Sequence, residues 1–159
     1  MSGKSHTYTT HVRWTGNTGA GTSGYKAYAR DHVIASPGKP DILASSDPAF
    51  RGDATRYKPE DLLVASVSAC HMLWFLHMAV VAGVVVTAYE DAPVGTMVED
   101  DVKGGYFTGI VLRPRVTISA ASDVAKAVAA HHAAHEKCFI ANSVNFPITI
   151  EPATIVSTA

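Results

Sequence analysis

The segment KPEDLLVASVSACHMLWFLH, residues 58–77, decides the fold, because it joins the signals of a helix start to a long apolar run. Pro59 suits the first position of a helix, and Glu60 and Asp61 then occupy the first turn, where the helix dipole favours negative charge. The pattern predicts a helix that ends near Ala82, because Gly83 and a β-branched run follow. One of the two cysteines of the chain lies in the middle of this helix.

The same region could also be interpreted as a transmembrane helix. The residues from 62 to 89 form a run long enough to cross a bilayer. Polar side chains such as Ser68, His71 and His77 interrupt this run, and Gly83 breaks it. Few positive charges flank it, so the anchoring pattern of a membrane protein is weak. We therefore expect a buried central helix and no membrane partner.

Composition describes a compact protein with little net charge. The chain has 159 residues, of which 47% are hydrophobic and 17% charged, which predicts one folded domain over 1–159. The formal net charge is −1 and no run of Lys or Arg occurs, so nucleic-acid binding has no electrostatic support. No apolar signal segment opens the sequence, and two distant cysteines do not resemble a secreted disulfide framework. These features favour a cytoplasmic location.

The remaining pattern alternates between strands and helices. A second helix is predicted at 123–137 with Ser122 as its cap, and a short third helix within 138–146. Alternating β-branched and aromatic residues predict strands at 6–14, 24–36 (two strands around an Arg-Asp turn), 41–46, 84–98, 105–119 and 146–156. The order of strands, helix, strands, helix and strand is that of an α+β fold.

Cys70 has no obvious activating partner on its own helix. His71 points about 100° away around the helix, and His77 lies roughly 10 Å further along the axis. A reactive thiol needs nearby positive charge or hydrogen-bond donors, and the loop that carries Arg51 and Arg56 is the nearest source in sequence. The alternative is a structural cysteine buried in a core, which is common for free thiols.

Glu60 raises a similar question of distance. It lies roughly 15 Å from Cys70 along one helix, so the two cannot touch within a single copy. Two copies of the helix packed antiparallel about a two-fold axis would bring the partner's Glu60 close to Cys70. The alternative is that Glu60 only stabilises the helix N-terminus.

The motif KPEDLLVASVSACHM resembles that of the OsmC/Ohr family, the osmotically inducible and organic-hydroperoxide-resistance proteins. The residues that fit the family pattern in register are Pro59, Glu60, Leu62, Ala65, Ala69 and Cys70. A second cysteine near the last strand completes the pattern, and KCFIANSVNFPITI places Cys138 there. The family often has a proline directly after that cysteine, so Phe139 is a departure.

The resemblance implies an α+β fold with antiparallel sheets around two central helices, an intertwined homodimer, and a thiol peroxidase. By position, Cys70 corresponds to the peroxidatic cysteine and Cys138 to the resolving one. Glu60 matches the family glutamate that holds a catalytic arginine. Arg51 is preferred as that arginine, although it is displaced from the usual place, and Arg56 is held in reserve.

The implied reaction reduces an organic hydroperoxide through a cysteine sulfenic acid and an intramolecular disulfide. It requires no cofactor or metal, but an external dithiol reductant must reopen the disulfide. An apolar wall favours organic over hydrogen peroxide, because a non-polar group gains from burial. The residues expected to form it are Leu63, Val67, Leu73, Trp74 and Phe75.

Three other readings compete with the peroxidase. His131, His135 and Cys138 are spaced along one helix face, where neighbouring members of the row could share a zinc ion. A dimeric protein that binds a hydrophobic small molecule or senses redox state, without turnover, would use the same apolar face. Cysteine-protease chemistry is weaker, because no such signature surrounds Cys70.

Overall fold

A computed structural model describes residues 3–158 of the chain. It divides into two compact units, Met1–Leu62 and Leu63–Ala159. The boundary between the units falls within the first turns of a long helix. The single domain expected from the sequence stays a prediction.

The first unit contains one antiparallel sheet of three short strands. They are β1 (His11–Trp14), β2 (His32–Ala35) and β3 (Ile42–Ala44), and β2 lies in the centre. Trp14 pairs with His32 and Val33 with Leu43, so each strand returns directly beside the one before it. These strands are shorter than predicted, but they lie where the alternating pattern placed them.

The prediction of a strand in the first half of 24–36 is wrong. Tyr28 makes only an isolated bridge to Asn17. The guanidinium of Arg30 lies over the rings of Tyr25 and Tyr28, at 4.5 and 4.1 Å from their centroids. These cation–π contacts and turn hydrogen bonds hold the segment, so its aromatic residues pack locally rather than in a ladder.

The predicted long helix is confirmed as α1 (Pro59–Val81), with its two acidic residues in the first turn. Its end is set by a Schellman motif. Gly83 is left-handed, with φ 71°, and its N–H donates to the carbonyl of Val80 at 3.1 Å. The N–H of Val84 donates to the carbonyl of Ala79 at 2.8 Å. Glycine adopts this conformation without strain, so the helix ends where it stands.

The helix α1 is long and apolar enough to cross a membrane, but core helices of soluble proteins meet the same criterion. Four of its residues, spaced at every fourth position, are buried: Val67, His71, Phe75 and Ala79. This stripe packs into the two core clusters of the second unit, so the helix meets the core through one face.

The second unit holds two more sheets of three strands each, ordered β4-β7-β9 and β5-β6-β8. The strands are β4 (Val86–Glu90), β5 (Val94–Val98), β6 (Tyr106–Leu112), β7 (Arg115–Ile118), β8 (Ile148–Ile150) and β9 (Ala153–Val156). The pairs β4–β7 and β5–β6 are antiparallel, but β6–β8 and β7–β9 are parallel. The sheets of this unit are therefore mixed, and their antiparallel pairs agree with what the family resemblance implied, while the two parallel pairs are an addition.

Three strands predicted as continuous are each split in two. A proline stands in every break, because it cannot donate to a sheet ladder and marks a strand end. These prolines are Pro93, Pro114 and Pro152. Each break lets the chain leave one sheet and enter the other, so the same residues build two sheets instead of one.

The second predicted helix is α2 (Val124–Lys137), and its cap is Asp123 rather than Ser122. The Asp123 carboxylate accepts hydrogen bonds from two backbone N–H groups of the first turn. Ser122 instead accepts a hydrogen bond from the N–H of Val85. The third helix is only a single 3₁₀ turn, Ala141–Ser143.

Candidate active site

The two cysteines, far apart in sequence, meet in the second unit. Cys70 lies in the middle of α1 and Cys138 directly follows α2 as its C-cap. Both are free thiols, and they lie close together: Phe139, next to Cys138, packs on Trp74, one turn beyond Cys70, and Cys70 raises the pKa of the Cys138 thiol. Cys138 is 1% exposed, whereas Cys70 is only partly buried. The pair therefore offers one reachable sulfur and one protected sulfur.

Burial raises the pKa of the Cys138 thiol to about 11, and the neighbouring Cys70 side chain acts in the same direction. The N–H of Ala141 donates to the Cys138 sulfur at 3.4 Å, which offsets the rise only in part. Cys138 therefore keeps its proton at neutral pH.

An apolar pocket of about 330 Å³ opens on the exposed side of α1, lined by Leu73, Trp74 and His77. These residues stand one to two turns beyond Cys70 on the same helix face. Phe139, which follows Cys138, packs edge-on against Trp74. The pocket thus begins beside the cysteine pair. Two residues predicted for its wall, Val67 and Phe75, lie in the core instead.

A pair of buried histidines that the sequence analysis missed joins the same two helices. His71 and His131 are 1% and 2% exposed, and their ring nitrogens lie 3.1 Å apart. The sequence did hold a signal for His71, which is the one polar residue in the stripe of every fourth residue that α1 buries.

The row of metal-ligand residues along α2 is divided between other partners. His131 contacts His71, and Cys138 lies close to Cys70. Across residues 3–158, no group of three or more His, Cys, Asp or Glu side chains is arranged to hold a metal ion. Nδ1 of His135, the remaining member of the row, is buried without a hydrogen-bond partner among residues 3–158.

The other predicted site residues lie in the unit Met1–Leu62. Arg51 ends a 3₁₀ turn (Pro48–Phe50) and is the only non-glycine residue with positive φ, 66°, among residues 3–158. Its side chain is exposed. The Arg56 guanidinium lies 3.5 Å from Asp31 and 3.6 Å from Asp53. The two candidate arginines thus differ, since Arg56 already pairs with two carboxylates.

Local contacts order the loop that leads into α1. The Asp47 carboxylate accepts from the N–H of Ala49 and lies 2.9 Å from the Lys58 ammonium. The backbone hydrogen bond and then the lysine lower the pKa of Asp47, so it stays ionised. Glu60, half-buried, follows in the first turn of α1.

The sequence matches the family model described as "OsmC-like protein" over residues 52–153. This range contains α1 with Cys70, the whole of α2, and Cys138. No curated protein matches the sequence significantly.

Solved structures of the same fold cover nearly the whole chain. An OsmC-like protein of unknown function from Vibrio cholerae is 33% identical, with a TM-score of 0.84, over 93% of this chain and 99% of that one. An organic hydroperoxide resistance protein from Legionella pneumophila, also described as a predicted redox protein, is 18% identical with a TM-score of 0.67, over 95% and 99%. The organic hydroperoxide resistance protein OhrB of Bacillus subtilis is 21% identical with a TM-score of 0.60, over 94% and 98%. The α+β fold, the family model and the Vibrio relative agree, and the chain belongs to the OsmC-like protein family.

Proposed function

We propose that this protein is a thiol-dependent peroxidase that reduces organic hydroperoxides. The observation that carries the proposal is the proximity of two free thiols from distant parts of the sequence, because Phe139, next to Cys138, packs on Trp74, one turn beyond Cys70, and Cys70 raises the pKa of the Cys138 thiol. Thiols that the fold brings together in this way can be joined in a disulfide. The organic hydroperoxide resistance proteins of the same fold support the choice of substrate.

The proposed reaction has three steps. The Cys70 thiolate attacks the distal oxygen of ROOH, the O–O bond breaks, and the alkoxide takes up a proton and leaves as ROH. This step leaves Cys70 as a sulfenic acid. The Cys138 thiol then attacks the Cys70 sulfur, a disulfide forms, and water departs. A dithiol finally reduces the disulfide and is itself oxidised to a disulfide.

The positions of the two sulfurs support this division of roles. Cys70 is partly exposed and lies beside the apolar pocket, so a hydroperoxide can reach it. Cys138 is buried and keeps its proton, which makes it a poor first nucleophile. It lies close to Cys70, so it is placed to resolve the sulfenic acid before a second peroxide arrives.

Arg51 remains the preferred catalytic arginine, with Glu60 as the carboxylate that orients it. A guanidinium would stabilise the thiolate and the charge that develops on the peroxide oxygens. Arg56 is occupied by Asp31 and Asp53, while Arg51 makes no ion pair with any residue from 3 to 158. A left-handed conformation at a residue other than glycine is strained, and such strain gathers at functional sites.

The proposed working form is a homodimer, as is typical of the family. Several large apolar side chains of the second unit are exposed, which a soluble chain ordinarily covers. They include Leu73 at 63%, Val80 at 75%, Val81 at 70% and Phe139 at 65%. A second copy packed on this face would also close the pocket from water.

The proposed chemistry uses only the side chains of the protein and an external dithiol, with no cofactor. The cytoplasm is the proposed location, because its thiol systems keep such a pair reduced between turnovers. The free state of both cysteines is consistent with this setting.

The test is turnover of cumene and tert-butyl hydroperoxide with dithiothreitol, followed by loss of peroxide. Cys70→Ser is expected to abolish turnover, and Cys138→Ser to permit one oxidation per chain without catalysis. Arg51→Ala is expected to lower kcat/KM by about a hundredfold or more, as loss of a charge-stabilising donor does. Arg13→Ala removes an exposed arginine of β1 in the same unit and serves as its control.

Full activity of Cys70→Ser would overturn the mechanism. A single stoichiometric oxidation of the wild type, with no turnover in the presence of dithiol, would favour the redox-sensing alternative. A hydrophobic-ligand carrier would bind a fatty acid in the apolar pocket while both cysteines stayed inert to hydroperoxide.

A further inference from the structure

The two buried histidines form one directed hydrogen bond. Nε2 of His71 lies 3.1 Å from Nδ1 of His131. The ring planes differ by only 10°, while the centroids are 5.4 Å apart. With nitrogens so close and centroids so far apart, the rings must lie side by side rather than face to face. This is the geometry of an N–H···N bond in the plane of both rings.

Both rings are neutral at physiological pH. Burial lowers the pKa of His71 and of His131 to about 4. One ring therefore donates and the other accepts, whichever tautomer is present. The outer nitrogens, Nδ1 of His71 and Nε2 of His131, are buried without a hydrogen-bond partner within residues 3–158. Such unpaired groups destabilise a core, so stability alone does not account for the pair.

The hydrogen bond joins the two helices that carry the sulfurs. His71 directly follows Cys70 on α1, and His131 lies two turns before Cys138 on α2. The Phe75 ring stacks on the pair, with its centroid 4.0 Å from that of His131, and Asp91, His132 and His135 lie close enough to act electrostatically on the two rings. Apolar contacts have no preferred direction and permit small sliding motions, whereas a hydrogen bond weakens steeply when its geometry changes.

We propose that His71 and His131 are positioning residues whose hydrogen bond fixes the separation of Cys70 and Cys138, and so sets how readily the two sulfurs form a disulfide. The inference rests on the proposed function for its biological meaning, but not for its test. The equilibrium at issue is the exchange of the two protein thiols with oxidised dithiothreitol. The protein pair gives up two electrons and two protons and becomes a disulfide, and the reagent takes them up as its dithiol.

The chain permits a matched set of variants. His71→Gln keeps a polar group near the ε position that contacts His131, while His71→Asn moves it to the δ position and loses the contact. At His131 the δ nitrogen makes the bond, so there the Asn variant is the one that keeps a polar group in place and the Gln variant is the one that does not. His131→Asn keeps the bond and His131→Gln loses it. His132→Gln alters an exposed ring of α2 and is the control.

The measurement is the thiol–disulfide equilibrium of each purified variant in dithiothreitol redox buffers, read by alkylation and mass spectrometry. His71→Asn and His131→Gln are expected to shift the equilibrium about tenfold toward the thiols, or about 30 mV. His71→Gln, His131→Asn and the control are expected to stay within about threefold of the wild type, well below that shift.

The inference would be overturned if all five variants had the same thiol–disulfide equilibrium. It would also be overturned if the four variants at His71 and His131 all shifted that equilibrium equally. Should His71→Asn and His131→Gln fail to fold by circular dichroism, the comparison passes to His71→Gln and His131→Asn. A shift in either of these beyond the control would then overturn it. No peroxide enters the experiment, so a loss of the proposed peroxidase activity and a failure of this inference are separate results.

Discussion

The ring of Phe139 meets the ring of Trp74 edge-on, with 5.5 Å between the centroids and 85° between the planes. Trp74 lines the apolar pocket, and Phe139 directly follows Cys138. Most of the Phe139 side chain is nevertheless exposed. The residue that departs from the proline common in this family thus places an aromatic ring beside both Cys138 and the pocket residue Trp74.

Phe139→Ala should therefore change substrate preference more than stability. The aromatic contact contributes about 0.5–1.5 kcal/mol, and its loss should weaken the binding of a bulky aryl substrate beside Trp74. We expect kcat/KM for cumene hydroperoxide to fall severalfold relative to that for tert-butyl hydroperoxide. Tyr106→Ala, which removes a half-exposed aromatic residue from β6, is the control. An unchanged ratio between the two substrates would exclude this role for Phe139.

Alkylation should distinguish the two cysteines. The pKa of Cys138 is raised to about 11 by burial, which leaves about a hundredfold less thiolate at neutral pH than an ordinary thiol has. We expect iodoacetamide at pH 7.5 to label Cys70 first and to leave Cys138 unlabelled until urea unfolds the chain. Peptide mapping by mass spectrometry gives both rates, and the Cys70→Ser variant isolates Cys138. Rapid labelling of Cys138 in folded Cys70→Ser would contradict its assignment as the protected sulfur.

The histidine pair should make the fold sensitive to mild acid. The folded pKa of His71 and of His131 is about 4, below the ordinary 6.5, so the unfolded chain binds protons that the folded chain does not. Their contribution to stability is complete above pH 6.5 and is lost as the pH falls toward 4. The upper limit is about 3 kcal/mol for each ring.

Urea unfolding at several pH values between 7.5 and 4 measures this loss. The double variant His71→Gln/His131→Asn lacks both buried imidazole rings, so its free energy of unfolding should depend less steeply on pH. His11→Gln, which removes an exposed ring of β1, should keep the slope of the wild type. Parallel profiles for the wild type and the double variant would show that carboxylates alone cause the acid sensitivity.

Gly95 in β5 should be intolerant of a side chain. A Cβ at this position would lie 2.6 Å from Cγ2 of Val64 on α1 and 2.8 Å from a ring carbon of Phe107. Overpacking of this kind destabilises by about 1–3 kcal/mol, so Gly95→Ala should lower the midpoint of thermal unfolding. Gly109→Ala is the matched control, since its Cβ would meet nothing closer than 3.3 Å. Equal midpoints for the two variants would show that β5 can move away from the helix.

The sequence predicted α1 well because its signals are local. Pro59, the acidic first turn and Gly83 mark the start and end of the helix without reference to distant residues. The strand breaks also had a local signal, the three prolines, which the alternating apolar pattern masked. The parallel pairing of β6 with β8 had none, because register between distant strands depends on the whole sheet.

The site was partly predictable for the same reason. The family pattern singled out Cys70 and Cys138, but the helix periodicity of one segment could not show that the fold brings the two residues close together. Nor could it pair His71 with His131, since that contact depends on how two helices pack. The cap of α2 shows a finer limit, because Ser122 and Asp123 are both good caps and only the path of the chain decides between them.

The parallel pairs β6–β8 and β7–β9 also govern the order of events during synthesis. Leu112 aligns with Ile150, and Ile118 with Val156, so each inner strand gains its last neighbour only after nearly all of these residues have been translated. Until then a nascent chain leaves the edges of β6 and β7 open, and open edges are where unwanted pairing begins. Ribosome-bound chains that stop before residue 148 should therefore need chaperone protection that the finished fold does not.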